Sequence, residues 1–304
     1  MGAQPQNNLG MGCSALGSRC NRRESLRALN RAFDSGITFF DTADFYGQGD
    51  SEKILGDVFY KKRSQVTIAT KAGLSYKKTF SYLKPLKSLV RPLVNKSPLA
   101  KSVATQITSN QITNNNFSSA YLNKAICQSL KRLRTDYIDS FLLHNPTIDI
   151  LEQGDVFNTL SKLKASGKCK QYGLSCANVD EAIFALSLPN TGLSTLQFEL
   201  NIIHQESLKS LLPICFKNNI LTIARAPFAG GILLKNPPPK LIELSNEWSI
   251  PISQIAIKFA LQQKGVSVVI SSMVGPGHLK EGINATNSKQ LTPDQISSLQ
   301  KIGV

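Results

Sequence analysis

Four residues in the first half of the chain have side chains that can move a proton between them: Asp41, Tyr46, Lys71 and His144. A phenol becomes a useful acid near neutral pH when an adjacent ammonium favours its phenolate, and Lys71 can supply that ammonium. A carboxylate such as Asp41 keeps the lysine charged and oriented, while a histidine such as His144 hydrogen-bonds a substrate oxygen. The set suits protonation of a carbonyl oxygen as hydride arrives at its carbon. Taken singly, each residue has a plainer role: a turn cap, a packing tyrosine, a solvated strand end, a core histidine. The elements that carry them decide between the two readings.

Short apolar runs alternate with amphipathic helical patterns along most of the chain. The strand candidates are Leu9 to Cys13, Thr38 to Asp41, Val66 to Lys71, Ile138 to His144, Gln171 to Ser175, Thr195 to Glu199, Leu221 to Arg225 and Ser267 to Ser271. Helical periodicity appears at Arg22 to Asp34, Ser119 to Arg134, Val156 to Ala165, Val179 to Ser187, Glu206 to Lys217, Ile255 to Gln263 and His278 to Ala285, and a last helix opens at Thr292. Nearly all-apolar strands alternating with helices predict a parallel sheet covered by helices, and eight of them close into an α/β barrel with no edge left over. In such a barrel chemistry sits at the C-terminal ends of the strands. Asp41, Lys71, His144, Ser175, Arg225 and Ser271 end their strands and Gln197 lies inside one, so the polar residues collect on one rim.

Composition narrows the alternatives. Hydrophobic residues make up 41% and 20 glycines are added to them, so the chain can bury a core and global disorder is excluded. No run approaches the ~18 apolar residues of a membrane span. The opening MGAQPQNNLG has neither the basic nor the apolar region of a secretory signal, and a cytoplasmic location is expected. The six cysteines include no Cys-x-x-Cys pair, and the three histidines have no metal-ligand spacing, which predicts reduced thiols and no structural zinc. Gly10 to Ala15 fits the dinucleotide fingerprint G-x-G-x-x-A, but no room for a strand precedes it.

The sequence resembles the aldo-keto reductase family. GITFFDTADFYGQGDSEKILG is similar to the family's Asp and Tyr segment, VTIATKAG to its lysine strand and DYIDSFLLHNP to its histidine strand. KQYGLSCAN, STLQFELN, ILTIARAPFAGGIL and VVISSMVGPGHLKE continue the resemblance in order over about residues 9 to 300. It implies a single-domain (β/α)8 TIM barrel over residues 1–304 that reduces an aldehyde or ketone reversibly to an alcohol with NADPH, NADH remaining open. Tyr46 would be the acid, Lys71 its partner, Asp41 the partner of Lys71, and His144 the residue orienting the carbonyl. Ser175 and Gln197 would hold the nicotinamide carboxamide, Arg225 would stack on its ring, and Ala226, Phe228 and Gly231 would cover the pyrophosphate. Ser271, Ser272 and His278 belong to the last phosphate loop. Departures weaken the implied preference for NADPH. Cys176 replaces the usual Asn, Met273 or Val274 stands where a base meets the 2′-phosphate, and Gly282 replaces an Asn aimed at the adenine, leaving Lys280 as the nearest substitute.

The net charge of +15 is uneven, because Lys77 to Phe117 carries seven basic residues and no acid. This basic insertion after the third strand borders the substrate pocket in the resembling family, and the near-helical apolar spacing from Tyr76 to Val94 predicts an amphipathic helix within it. A protein partner docking through residues 77–117 is the partner expectation, with no nucleic acid and no membrane span. The rival reading is a cofactor-binding sensor barrel with little turnover that docks through the same segment.

Overall fold

The computed structural model describes residues 8–76 and 112–303. Ten strands run along it: β1 (Leu9–Gly12), β2 (Phe39–Asp41), β3 (Thr67–Ala72), β4 (Leu74–Tyr76), β5 (Ile112–Asn115), β6 (Ile138–His144), β7 (Cys169–Ser175), β8 (Thr195–Glu199), β9 (Leu221–Arg225) and β10 (Val268–Ser271). Eight of them close a parallel barrel in the order β1, β10, β9, β8, β7, β6, β3, β2, which is the (β/α)8 architecture expected from the strand pattern. Each of the eight sequence-read strands matches a barrel strand to within two residues at either end. The remaining two, β4 and β5, pair antiparallel as a separate two-stranded sheet that the sequence reading missed. Most of the basic insertion, including the amphipathic helix expected within it, lies outside the described residues.

Helices follow the strands and cover the barrel. They are α1 (Arg22–Asp34), α2 (Asp50–Phe59), α3 (Ser119–Leu133), α4 (Ile148–Glu152), α5 (Asp155–Ala165), α6 (Val179–Ser187), α7 (Glu206–Lys209), α8 (Leu212–Lys217), α9 (Ile232–Lys235), α10 (Pro239–Trp248), α11 (Ile252–Leu261), α12 (Pro276–Asn287) and α13 (Pro293–Gln300). Their starts are set chemically. Asn21 with Glu24, and Thr292 with Gln295, form reciprocal capping boxes at α1 and α13. The single helix expected from Glu206 to Lys217 is two, because Pro213 in the first turn of α8 offers no N–H to a continuous ladder.

Two apolar layers result. One, between strands and helices, contains Met11, Phe40, Ile68, Phe141, Leu174, Phe198 and Ile257. The other fills the barrel interior with Phe39, Ala69, Leu142, Ile223, Val268 and Ile270. Because side chains alternate along a strand, a residue two positions past an interior residue also faces the barrel axis, one layer nearer the C-terminal rim. Phe39 thus sets Asp41, Ala69 sets Lys71, Leu142 sets His144 and Ile223 sets Arg225. The apolar plug of the barrel and the polar rim above it are successive turns of one alternation.

Candidate active site

Register aligns the rim. His144 pairs with Ser175 and Ser175 with Gln197 across three neighbouring strands, while Glu199 pairs with Arg225 one layer further out. At the seam of β2 and β3, the Lys71 ammonium donates to both oxygens of Asp41 at 2.7 Å and to the Thr42 carbonyl at 2.8 Å. Gln197 Nε2 donates to Asp41 Oδ1 at 2.7 Å, and its Oε1 accepts from the Ser175 hydroxyl at 3.0 Å. Asp41, Lys71, Gln197 and Ser175 are therefore one buried hydrogen-bonded chain that crosses the barrel mouth. Direct contact of Gln197 with the acid was invisible in the sequence, where they stand 156 positions apart.

Tyr46 is delivered to this chain by a sharp reversal. Gly47, Gln48 and Gly49 take left-handed conformations (φ 60°, 61° and 88°) before α2 begins, and a Cβ on Gly47 would lie 3.1 Å from the Leu16 carbonyl. The Lys71 ammonium lies 5.2 Å from the centre of the Tyr46 ring, and the His144 ring meets Tyr46 edge-on at 6.1 Å. Phe45 bridges the two, with ring centres 5.0 Å from Tyr46 and 5.1 Å from His144. The four residues first singled out are thus gathered at one point.

Burial dominates the electrostatics here. It alone would discharge Lys71, but Asp41, Tyr46 and Cys13 outweigh it and raise the amine above the ordinary lysine value. Burial raises the Tyr46 phenol; the positive charges of Lys71 and Arg225 oppose this, Asp41 reinforces it, and burial prevails. Lys71 acts on the phenol in the expected direction without bringing it below its usual value, so Tyr46 holds its proton. His144 is driven well below its ordinary 6.5 by burial and by the positive charges of Lys71 and Arg225, so its ring is neutral. Its Nδ1 is buried with no hydrogen-bond partner among the described residues.

The expected cofactor residues divide into two groups. Ser175 and Gln197 are buried within the polar chain, whereas Arg225 is half-exposed on the rim. Its guanidinium bonds Glu199 at 3.1 Å and the Cys176 carbonyl at 3.3 Å, two partners the sequence reading did not foresee. Ala226 and Ala229 (φ 55° and 48°), then Gly230 and Gly231 (φ 66° and 101°), turn left-handed around half-buried Phe228. Within this coil the Ala229 and Gly231 N–H groups donate to the Ala226 and Phe228 carbonyls at 2.9 and 2.8 Å. Ser271 is buried at the end of β10, Ser272 is exposed, and exposed His278 stands in the first turn of α12. Gly282 has a packing reason: a Cβ there would come within 2.8 Å of Met273 Sδ and 3.1 Å of Leu9. Lys280 lines, together with Arg31, a groove of about 410 Å³ between α1 and α12, and Arg31 donates to the Val274 carbonyl at 3.0 Å. Among the described residues no group of acids, cysteines and histidines is placed to hold a metal, and no helix is long and apolar enough to cross a membrane.

A model of the aldo/keto reductase family matches residues 8–304. The chain belongs to that family, and with it to the oxidoreductases. L-galactose dehydrogenase of Arabidopsis thaliana is 27% identical over 314 residues, covering 94% of this chain and 86% of that protein. Among solved structures, the holo form of an aldo-keto reductase from Bacillus halodurans superposes with a TM-score of 0.76 at 23% identity, over 97% of this chain and 91% of that one. An aldo/keto reductase from Klebsiella pneumoniae in complex with NADP and acetate gives 0.74 at 21% identity, over 97% and 90%. At these identities the two structures bear on the fold.

Proposed function

We propose that the chain reduces an aldehyde or ketone to the alcohol, reversibly, using NADPH or NADH, with Tyr46 as the proton donor. The observation that carries this reading is the unbroken buried chain Ser175–Gln197–Asp41–Lys71 lying under a protonated phenol and a neutral imidazole. A reduced nicotinamide supplies the hydride when bound. Ser175 and Gln197 would hold its carboxamide, Arg225 would lie against its ring, and the left-handed segment from Ala226 to Gly231 would take the pyrophosphate. The NADP bound in the Klebsiella relative and the sugar named for the Arabidopsis relative both support a nicotinamide enzyme of small carbonyl or alcohol substrates.

The chain's own residues then divide the work. Phe45 and the apolar plug keep water from the reacting carbon. His144, neutral, donates a hydrogen bond to the carbonyl oxygen without competing for the proton. Tyr46 hands its hydroxyl proton to that oxygen as the alcohol forms. Lys71 stabilises the phenolate left behind, and Asp41 keeps Lys71 charged through both steps. No lysine or arginine occupies positions 271 to 278, so discrimination of the 2′-phosphate would fall to Lys280 and Arg31.

The test is a titration of the purified chain with NADPH and with NADH, followed by addition of a generic aldehyde while the absorbance of the reduced cofactor is monitored. Binding followed by oxidation is expected, and Tyr46→Phe should cut turnover ~10²–10⁴-fold with cofactor affinity kept. Full carbonyl-reducing activity in Tyr46→Phe would refute the mechanism, and binding without turnover across a carbonyl panel would refute the reductase reading.

A further inference from the structure

Asp44 lies between Asp41 and Tyr46 and has no part in the reaction described above. Its backbone N–H donates to the Lys71 carbonyl at 3.0 Å, so it extends the pairing of β2 with β3 up to the lysine itself. Its side chain turns toward α3. The Tyr121 hydroxyl donates to Oδ2 at 3.3 Å, and Oδ1 is buried without a hydrogen-bond partner among the described residues. Glu52 on α2 and Arg132 on α3 are the charged groups facing it, and they are bound to one another at 2.6 Å. Arg132 therefore does little to neutralise Asp44. Burial first, and the negative charge of Glu52 second, raise the Asp44 carboxyl to about 7, against the pull of Arg132, Tyr121 and the Phe45 N–H toward the anion.

Tyr121 reaches further than Asp44. Its hydroxyl also meets the backbone of Gly73, the residue that joins β3 to β4. Gly73 has φ 125°, the ring of Phe117 fills the space where a Cβ would stand, and its carbonyl accepts from Asn116 at 2.9 Å. One phenol thus ties together the loop of Tyr46, the exit of the Lys71 strand and the start of the β4–β5 sheet.

We propose that Asp44 is a positioning residue whose protonation, exchanged against Tyr121, sets how the loop bearing Phe45 and Tyr46 is held over Lys71 and His144. As an anion it accepts from the Tyr121 hydroxyl; as an acid it becomes a donor, and the bond between them reverses direction. Phe45 touches both His144 and Tyr46, so a change in the loop is felt at both. The catalytic consequence rests on the reductase reading, whereas the buried titrating anchor does not.

Two measurements on the full chain separate these. In the first, urea unfolding without cofactor is followed from pH 4 to 8 for wild type and Asp44→Asn. The folded carboxyl keeps a proton that the unfolded one releases near 3.8, so this contribution is full below that value and is lost as the pH climbs through about 7. Across that window the wild-type folding constant should fall relative to Asp44→Asn, by as much as about a thousand-fold. Superimposable pH dependences would overturn the proposal. In the second, kcat/KM should show an inflection near 7 in wild type. Asp44→Asn should abolish it, and Tyr121→Phe, which removes a donor to the anion, should move it upward. Should Asp44→Asn not fold, the Tyr121→Phe shift alone decides, and an unmoved inflection overturns the proposal. An active enzyme whose profile ignores both substitutions would overturn the positioning role. A chain that binds cofactor yet never turns over would sink the reductase reading, with the anchor still judged by the unfolding curves.

Discussion

The lysine at the centre of the candidate site can be tested through stability as well as rate. In Lys71→Met the ammonium that bonds both Asp41 oxygens disappears, while Gln197 Nε2 stays on Oδ1 at 2.7 Å. Oδ2 then loses the Lys71 contact in a residue only 3% exposed. Removing one partner of a buried pair costs ~3–5 kcal/mol because the other charge is left uncompensated. Asp41→Asn strands the lysine instead; burial then discharges it, and Thr42 still accepts from it, so a cost of ~1–3 kcal/mol is expected. In the double variant no charge is stranded, and the neutral amide still accepts from Gln197. The double cost should fall short of the sum of the singles by ~2 kcal/mol or more. Urea unfolding followed by circular dichroism and by the fluorescence of Trp248, the one tryptophan, measures all four proteins. Additivity within ~0.5 kcal/mol would show that the pair is not coupled and would refute the reasoning. Lys71→Met should also lower kcat at least ~100-fold, since the larger of the two positive charges that favour the Tyr46 phenolate is then gone and only Arg225 remains.

His144, depressed well below 6.5, contributes stability that is full above pH 6.5 and is lost as the pH falls below it; His144→Gln should flatten that acid limb in urea midpoints, and an unchanged limb would mean the ring is not held neutral. Gly282→Asn, which restores the residue the family resemblance leads one to expect, should destabilise the chain by ~1–3 kcal/mol against Met273 and Leu9 and should not tighten cofactor binding. Iodoacetamide followed by mass spectrometry should label exposed Cys127 well before Cys13 and Cys176, whose thiols burial raises; rapid labelling of Cys176 would mark it as reactive instead of packed.

What could be read from the sequence was whatever a strand's alternation encodes. Asp41, Lys71, His144 and Arg225 could be assigned to one rim because each ends an apolar strand, and the strand pattern was clear enough to count. The same reasoning could not find Asp44, because its partner Tyr121 lies 77 positions away on a helix and nothing in either neighbourhood announces the other. Nor could it find the pairing of Glu52 with Arg132 and Thr70, which fixes α2 against α3 and β3. The whole of α2 was missed for a local reason: three left-handed residues precede it, and the polar start Asp50-Ser51-Glu52 looks like a loop. The sign of the Tyr46 shift was also out of reach, since it is a balance between burial and two cations that only the folded geometry fixes.

That balance explains why so much charge is buried at one end of this barrel. A protonated phenol, a charged lysine and a neutral imidazole are wanted side by side, and each is the state that its surroundings favour. Burial protects the proton on Tyr46 and removes charge from His144, yet it works against Lys71. Asp41 is the residue that reverses the effect for the lysine alone, because its two oxygens reach Lys71 directly while Tyr46 feels the acid only at a distance. Gln197 and Ser175 then hold Asp41 from the opposite side of the barrel mouth, so the charge state of Lys71 is fixed by side chains from four strands. Loosening any one of the four should weaken proton transfer together with stability, while the apolar layer beneath, from Phe39 to Ile270, still closes the barrel.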